Sequence, residues 1–476
     1  MAKEIQPAVI VLFGATGDLS HRMVLPALFE IEAARQLPKG TVVLGVGRGR
    51  DMTDETFRKD AAGSIHDHLT PDSGPVDSHK INAWCNHHLF YQGMGKSSPK
   101  DFEALAKRIE ELEQAHKLPG NRMFYLALPP AAFGPTIESL GTAGLNASKG
   151  WSRLVIEKPF GHDEKSAQTL NDLIHKHFRE DQIYRIDHYL GKETVQNIVA
   201  FRFGNSLFES VWNREKIEKI EIVVTEELGI ESRAGYYEKS GALRDMVQNH
   251  LTQLLTLTAM EIPLAFNAAD IRYEKVKVLK SIVPIGKDDV VMGQYTEGDI
   301  DGEGVRGYKQ EEGVKPDSNT ETFVALKLWI ENWRWHGVPF YLRTGKRMKE
   351  RRSEIIVTFR CPPISIFDRR SGTVSPNTLV IAIQPNEGFR ISFEVKAPGE
   401  GIKLKTEWMH FSYSEVFGAL PEAYHTLIVD VLQGDQTLFV SAEENVASWK
   451  LYTPVLRNKP PVHPYTAGSW GPDRQL

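Results

Sequence analysis

Cysteine is nearly absent from this chain of 476 residues, with only Cys85 and Cys361 present. Two thiols cannot build a disulfide framework, they lack the close spacing of metal ligands, and they fit a reducing compartment. Long apolar runs are missing too. No stretch approaches the roughly 20 apolar residues of a membrane span, and Met1 to Pro7 has no apolar core of a secretion signal. A cytoplasmic protein with no membrane partner and no metal site is therefore expected. Positive charge is not in excess, since 57 Lys and Arg against 62 Asp and Glu leave a net charge of −5. That excludes the basic surface of a nucleic-acid binder, so any anion site must be a local cluster. No internal repeat is visible. What remains is ordinary for a globular enzyme-sized chain, 41% apolar and 25% charged, and long enough for two or three domains.

The first apolar run, Ala8 to Phe13, is continuous, as in a strand buried on both faces of a parallel sheet. Met23, Val24, Ala27, Leu28 and Ile31 then share a helical face that Pro26 should kink or break. Thr41 to Val46 reads as a second strand, residues 66–80 as a loop, and 101–116 as a helix on Phe102, Leu105, Ile109 and Leu112. Short strands are expected at Met123 to Leu128, Leu154 to Ile156 and Ile183 to Ile186. Strands alternating with helices imply an α/β domain with a parallel sheet, placed at residues 1–187. From about residue 215 the texture changes to long alternating segments, among them Thr322 to Trp329, Glu354 to Phe359 and Thr378 to Gln384, with a helical stretch from Gly241 to Ala259. Residues 188–476 are expected to form an α+β domain with a large antiparallel sheet packed by helices on one side. Residues 297–317 read as a long surface loop, and Trp329, Trp333 and Trp335 as core packing.

Gly14-Ala15-Thr16-Gly17-Asp18-Leu19 directly follows the first strand and opens a helix. In that context the glycines let the backbone approach a pyrophosphate, whose charge the helix N-terminus stabilises. The second strand ends in Arg48, where an NAD site usually carries an acid; an arginine there suits the 2′-phosphate of NADP. A second cluster follows the strand at 183–186. Asp187 offers a carboxylate to orient a base, and His188, Tyr189 and Lys192 offer donors suited to a phosphate, with Gly191 allowing a sharp turn.

The segment Arg185 to Glu193 resembles the active-site signature of the glucose-6-phosphate dehydrogenases, and Gly14 to Ser20 is similar to their coenzyme loop. Glu157-Lys158-Pro159-Phe160-Gly161, Asn332 to Trp335, Arg343 to Lys346 and Gly434 to Phe439 extend the resemblance over nearly the whole chain, in the family's order. The resemblance implies a Rossmann domain joined to the large-sheet domain, assembled as a homodimer or homotetramer. It implies oxidation of D-glucose 6-phosphate at C1 to the 1,5-lactone by NADP, the first step of the oxidative pentose phosphate pathway, with NAD as an alternative coenzyme. The segment Arg244 to His250 matches the family's base motif. It reads as a helix with core face Val247, Leu251, Leu254 and Leu255, and with His250 at the polar boundary.

By the resemblance His250 is the general base, Asp187 holds its imidazole, and Lys158 lies between sugar and nicotinamide. His188, Tyr189 and Lys192 bind the phosphate, Glu226 and Asp245 accept from sugar hydroxyls, and Lys346 and Arg351 close the pocket, with Gln384 a further sugar contact. One departure is the run His21-Arg22-Met23, where relatives commonly carry lysines. It leaves Arg48 with less help and favours some use of NAD. Two other readings compete. Glu157-Lys158-Pro159 also resembles sugar and inositol dehydrogenases acting on substrates without phosphate, which His188, Tyr189 and Lys192 argue against. A non-catalytic NADP sensor is the second, and retention of Asp187 and His250 argues against it.

Overall fold

The continuous apolar run near the N-terminus becomes β1, Val9–Phe13, with every residue buried. A computed structural model of the chain describes residues 5–69, 77–367, 374–399, 401–474 and 476. Its contacts fall into two units, Met1–Lys192 with Ala265–Arg272 and Pro421–Val446, and Glu193–Leu264 with Tyr273–Leu420 and Ala447–Leu476.

In the first unit, β1 pairs in parallel with β2 (Val42–Gly47) and with β4 (Arg122–Leu126). Beyond them lie β3 (Leu89–Gly93), β5 (Ser152–Ile156) and β6 (Ile183–Arg185), giving one parallel sheet in the order β3-β2-β1-β4-β5-β6. That is the doubly wound dinucleotide-binding order, with its topological switch point between β1 and β4. The expected strands are all present. β3 was not read from the sequence, because it is short and only alternately buried. The helix Pro99–Ala115 buries Phe102, Leu105, Ile109 and Leu112, as their spacing predicts. Between helices Asp54–His68 and Ser78–His88, residues 70–76 of the expected loop lie outside the described residues.

Pro26 does not break its helix. A π-helical turn, Ser20–Val24, precedes an α-helix at Leu25–Ala33, so the proline falls in the first α-helical turn, where its missing N–H is tolerated. The helix Ala423–Gln433 also belongs to this unit. Its Tyr424, Leu427, Ile428, Val431 and Leu432 share a core with Ile10, Leu12, Tyr125 and Val155.

The second unit is built on β7 (Ile217–Thr225), β8 (Val290–Thr296), a short pair β9 (Gly298–Ile300) and β10 (Glu303–Val305), β11 (Phe323–Trp329), β12 (Pro339–Gly345), β13 (Arg352–Phe359), β14 (Thr378–Gln384), β15 (Gly388–Lys396), β16 (Leu404–Ser412) and β17 (Val462–Thr466). Nine of these make one sheet in the order β16-β15-β14-β13-β7-β12-β11-β8-β17. It is mostly antiparallel, as expected, with β12–β7 and β17–β8 running parallel within it. Period-two burial is the same in either direction, so alternation alone could not reveal those pairs.

Two more expectations change. Residues 297–317 are not simply a surface loop: they carry the β9–β10 pair, and Tyr308 is fully buried with its hydroxyl donating to Glu238 at 2.6 Å. Of the three tryptophans, Trp335 is fully buried and donates to Ala259 O at 2.8 Å, while Trp333 is 86% exposed beneath the Arg214 guanidinium. Among the described residues no helix is long and apolar enough to cross a membrane.

Candidate active site

The coenzyme loop starts where β1 ends. Gly14 has φ +76°, and a Cβ there would overlap the Ala127 carbonyl oxygen and lie 3.1 Å from its carbon. Only glycine fits both constraints. Gly14 N donates to Val46 O, Gly17 N to Gly14 O and Ser20 Oγ to Gly14 O, each at 2.9 Å, which locks the turn. His21 N then reaches Gly17 O, so the helix opens at the carboxyl ends of the strands. Ala15 is buried, Thr16 and Asp18 are exposed, and Gly17 and Leu19 are half-buried. Arg48 is exposed immediately after β2, one strand away. A glycine turn followed by an open helix N-terminus fits the pyrophosphate of a dinucleotide. Met23 packs against the apolar core beside this loop, and Arg22 pairs with Asp18 at 3.9 Å.

The second cluster hangs from β6. Arg185 there is fully buried, donating to Glu180 at 2.8 and 3.2 Å and to Asn171 at 3.0 Å, which anchors the strand end. Successive turns follow, Leu190 N to Asp187 O, Gly191 N to His188 O and Lys192 N to Tyr189 O. The Asp187 carboxylate is buried and accepts from Tyr189 N at 3.0 Å. His188 and Lys192 are half-buried, and both meet the buried Tyr189 ring, at 5.1 and 5.6 Å. Gly191 is present for a different reason from the sharp turn expected: a Cβ would lie 2.6 Å from Ala423 O and 2.9 Å from Leu427 Cγ. The turn thus lies directly against the helix Ala423–Gln433.

Lys158 follows β5, half-buried and joined to Pro159 by a cis peptide. The preceding Glu157 is buried and accepts from the Tyr125 hydroxyl at 2.6 Å and from the Tyr424 hydroxyl. Burial pushes the Glu157 carboxyl above the usual carboxylate range, against the pull of those two phenols.

In the second unit, His250 lies in a π-helix, Leu243–Leu251, flanked by α-helices Ala234–Ala242 and Thr252–Ala259. The α-helical spacing had set His250 at a polar boundary. The wider π turn changes the phase, and the imidazole is 1% exposed. Its backbone N donates to Asn249 Oδ1 at 2.6 Å, and Asn249 Nδ2 reaches back to Arg244 O. Asp245 is buried and accepts from the Tyr236 hydroxyl at 3.2 Å. Glu226 directly follows β7, where its N donates to Gly345 O and its O accepts from Met348 N. Its carboxylate pairs with the buried ammonium of Lys346, whose carbonyl accepts from the Tyr465 hydroxyl at 2.6 Å.

Asp245, Glu226 and Lys346 gather around Tyr237. The ammonium lies 5.4 Å over the ring, and burial first, then Asp245, hold the phenol protonated. Arg351 is exposed, with its N donating to Glu227 Oε1, and Gln384 ends β14 half-buried before a cis proline. The aromatic partners Tyr125, Tyr236, Tyr237 and Tyr424 were not found from sequence. Tyr125 lies inside an ordinary apolar strand, and none of the four belongs to a local motif.

Residues 11–197 match the model described as glucose-6-phosphate dehydrogenase, NAD binding domain, and residues 199–476 match glucose-6-phosphate dehydrogenase, C-terminal domain. This chain belongs to the glucose-6-phosphate dehydrogenase family. It is 46% identical over 476 residues to glucose-6-phosphate 1-dehydrogenase of Bacillus subtilis, covering 98% of this chain and 95% of the relative. It is 44% identical over 472 residues to that of Aggregatibacter actinomycetemcomitans, covering 97% and 94%. A solved structure described as glucose-6-phosphate dehydrogenase in complex with its substrate glucose-6-phosphate superposes with a TM-score of 0.91 at 38% identity, covering 99% of this chain and 97% of the other. Family membership accounts for both the sheet order of the first unit and the nine-stranded sheet of the second. As a glucose-6-phosphate dehydrogenase homologue the chain carries a domain for a nicotinamide dinucleotide.

Proposed function

We propose that this chain oxidises D-glucose 6-phosphate at C1 to 6-phospho-D-glucono-1,5-lactone, with NADP as the preferred hydride acceptor and NAD as the alternative, the first step of the oxidative pentose phosphate pathway. The observation that carries this reading is full-length similarity to glucose-6-phosphate 1-dehydrogenases combined with an intact set of proton-handling and phosphate-binding side chains. In this reading residues 1–187 bind the coenzyme, and residues 188–476 bind the sugar and carry the contacts of a homodimer or homotetramer. Two free cysteines suit a cytoplasmic setting.

His250 takes the proton of the C1 hydroxyl while the C1 hydrogen leaves as hydride, so the C1–O bond becomes a carbonyl. When bound, the nicotinamide supplies the acceptor for that hydride. Asp187 orients the imidazole and stabilises its cation. His188, Tyr189 and Lys192 bind the phosphate; the half-buried ammonium and imidazole beside one ring support this. Glu226 and Asp245 accept from sugar hydroxyls, each held by a neighbour that fixes its direction. Lys346, Arg351 and Gln384 complete the sugar site, and Lys158 lies between sugar and nicotinamide. Gly14, Ala15, Thr16, Gly17, Asp18 and Leu19 cradle the pyrophosphate, and Arg48 meets the 2′-phosphate. Rates with glucose 6-phosphate and with glucose, each with NADP and NAD, test the whole scheme. Equal kcat/KM for the two sugars would defeat the phosphate assignment, and no turnover with any pair would defeat the reaction.

A further inference from the structure

We propose that Tyr424, acting with Tyr125 through Glu157, is a positioning residue that sets Lys158 for the reaction. The proposal rests on the role given above to Lys158. The helix Ala423–Gln433 lies along β5 and is tied at both ends. At its C-terminal end Arg153, on β5, donates through Nη1 to Val431 O at 2.6 Å and to Leu432 O at 2.8 Å. At its N-terminal end the Tyr424 hydroxyl donates to Glu157, the residue that joins β5 to Lys158. The same carboxylate accepts from Tyr125, on β4, at 2.6 Å.

The contact with the signature turn is equally close. Ala423 O and Leu427 occupy the space a side chain at Gly191 would need, so the turn Asp187 to Lys192 cannot move away without opening that packing. The Asp187 charge also opposes ionisation of the Tyr424 phenol, which puts that hydroxyl within electrostatic reach of both carboxylates. Glu157, Tyr125 and Tyr424 are all buried, so their hydrogen bonds have no water to compete with and fix direction as well as distance. Removing one phenolic oxygen leaves the ring packing intact but frees the end of β5 to rotate. A displacement near 1 Å at Lys158 is enough to reduce turnover by up to about a hundredfold.

The test is a double-mutant cycle on kcat. Tyr424→Phe is expected to lower kcat about ten- to hundredfold while the melting temperature and far-UV dichroism stay near wild type. In a Lys158→Ala background the same change is expected to add less than twofold, because the residue it positions is already gone. Tyr125→Phe tests the Glu157 half alone and keeps the proposal open to refutation if Tyr424→Phe does not fold; it should be non-additive with Lys158→Ala in the same way. A kcat within twofold of wild type for the folded Tyr424→Phe protein overturns the proposal, as does a loss that multiplies in full with Lys158→Ala. Lys158→Ala with wild-type kcat would instead defeat the catalytic reading of Lys158, and the two failures are thereby told apart. Calorimetric binding of glucose 6-phosphate gives a second readout, in which Tyr424→Phe and Lys158→Ala should weaken affinity by similar factors.

Discussion

Replacing Gly14 by alanine tests the coenzyme loop at its tightest point. The residue sits at φ +76°, a left-handed conformation that costs a side chain about 1–2 kcal/mol. Its Cβ would also overlap the Ala127 carbonyl oxygen, which belongs to the backbone just after β4 and has no rotamer to retreat to. Overpacking of that kind adds about 1–3 kcal/mol. Together these come to about 2–5 kcal/mol, or roughly thirtyfold to a few thousandfold if all of it appears in coenzyme affinity. Gly17 is the internal control. It has no positive φ, and a Cβ there would meet only Gly14 O, at 3.1 Å. Gly14→Ala should therefore lower both the melting temperature of the ligand-free protein and its affinity for NADP, measured by calorimetry. Gly17→Ala should leave the ligand-free melt nearly unchanged and weaken only binding, because its space is needed by the pyrophosphate rather than by the protein. A Gly14→Ala protein with wild-type melting and wild-type NADP affinity would refute the reasoning.

Arg48→Ala should weaken NADP binding about ten- to hundredfold, the contribution of one charge-assisted bond of roughly 1.5–3 kcal/mol, and barely change NAD binding. Equal losses in kcat/KM with both coenzymes would contradict it. Lys192→Ala should raise the KM for glucose 6-phosphate steeply and leave the poor activity on glucose nearly unchanged; parallel losses on the two sugars would mean that Lys192 holds the turn itself. Burial pushes the Cys85 thiol up to about 12, while Cys361 is exposed. One thiol per chain should therefore react with a maleimide at pH 8 in the native protein and two in denaturant, and rapid native labelling of both would contradict the burial of Cys85.

Much of the first unit was legible because its signals are local. A continuous apolar run, a glycine turn and a helical stripe each declare one element, and the order of elements then implies a parallel sheet. β3 escaped because Leu89, Phe90 and Tyr91 are too few and too unevenly buried to stand out from the helix before them. In the second unit the alternation at Phe323–Trp329 and Thr378–Gln384 was clear, yet strand direction was not, since a period of two does not distinguish β12 beside β7 from an antiparallel pair. His250 was singled out by its motif, but its depth was misjudged. An α-helical wheel assumes about 3.6 residues per turn, and the π-helical turns around Leu243–Leu251 break that phase. The tyrosines that surround the acids were not legible at all. Tyr424 reaches Glu157 from far along the chain, and nothing in its own neighbourhood shows that the helix Ala423–Gln433 will lie along β5.

The central claim is that His250 is the base, and kcat of His250→Asn with glucose 6-phosphate and NADP tests it most directly. Asparagine keeps a polar group in the buried site but cannot take a proton at neutral pH. The account predicts a kcat lower by about 10²–10⁴-fold with the KM for glucose 6-phosphate nearly unchanged. A folded His250→Asn enzyme that keeps more than half of wild-type kcat would contradict it.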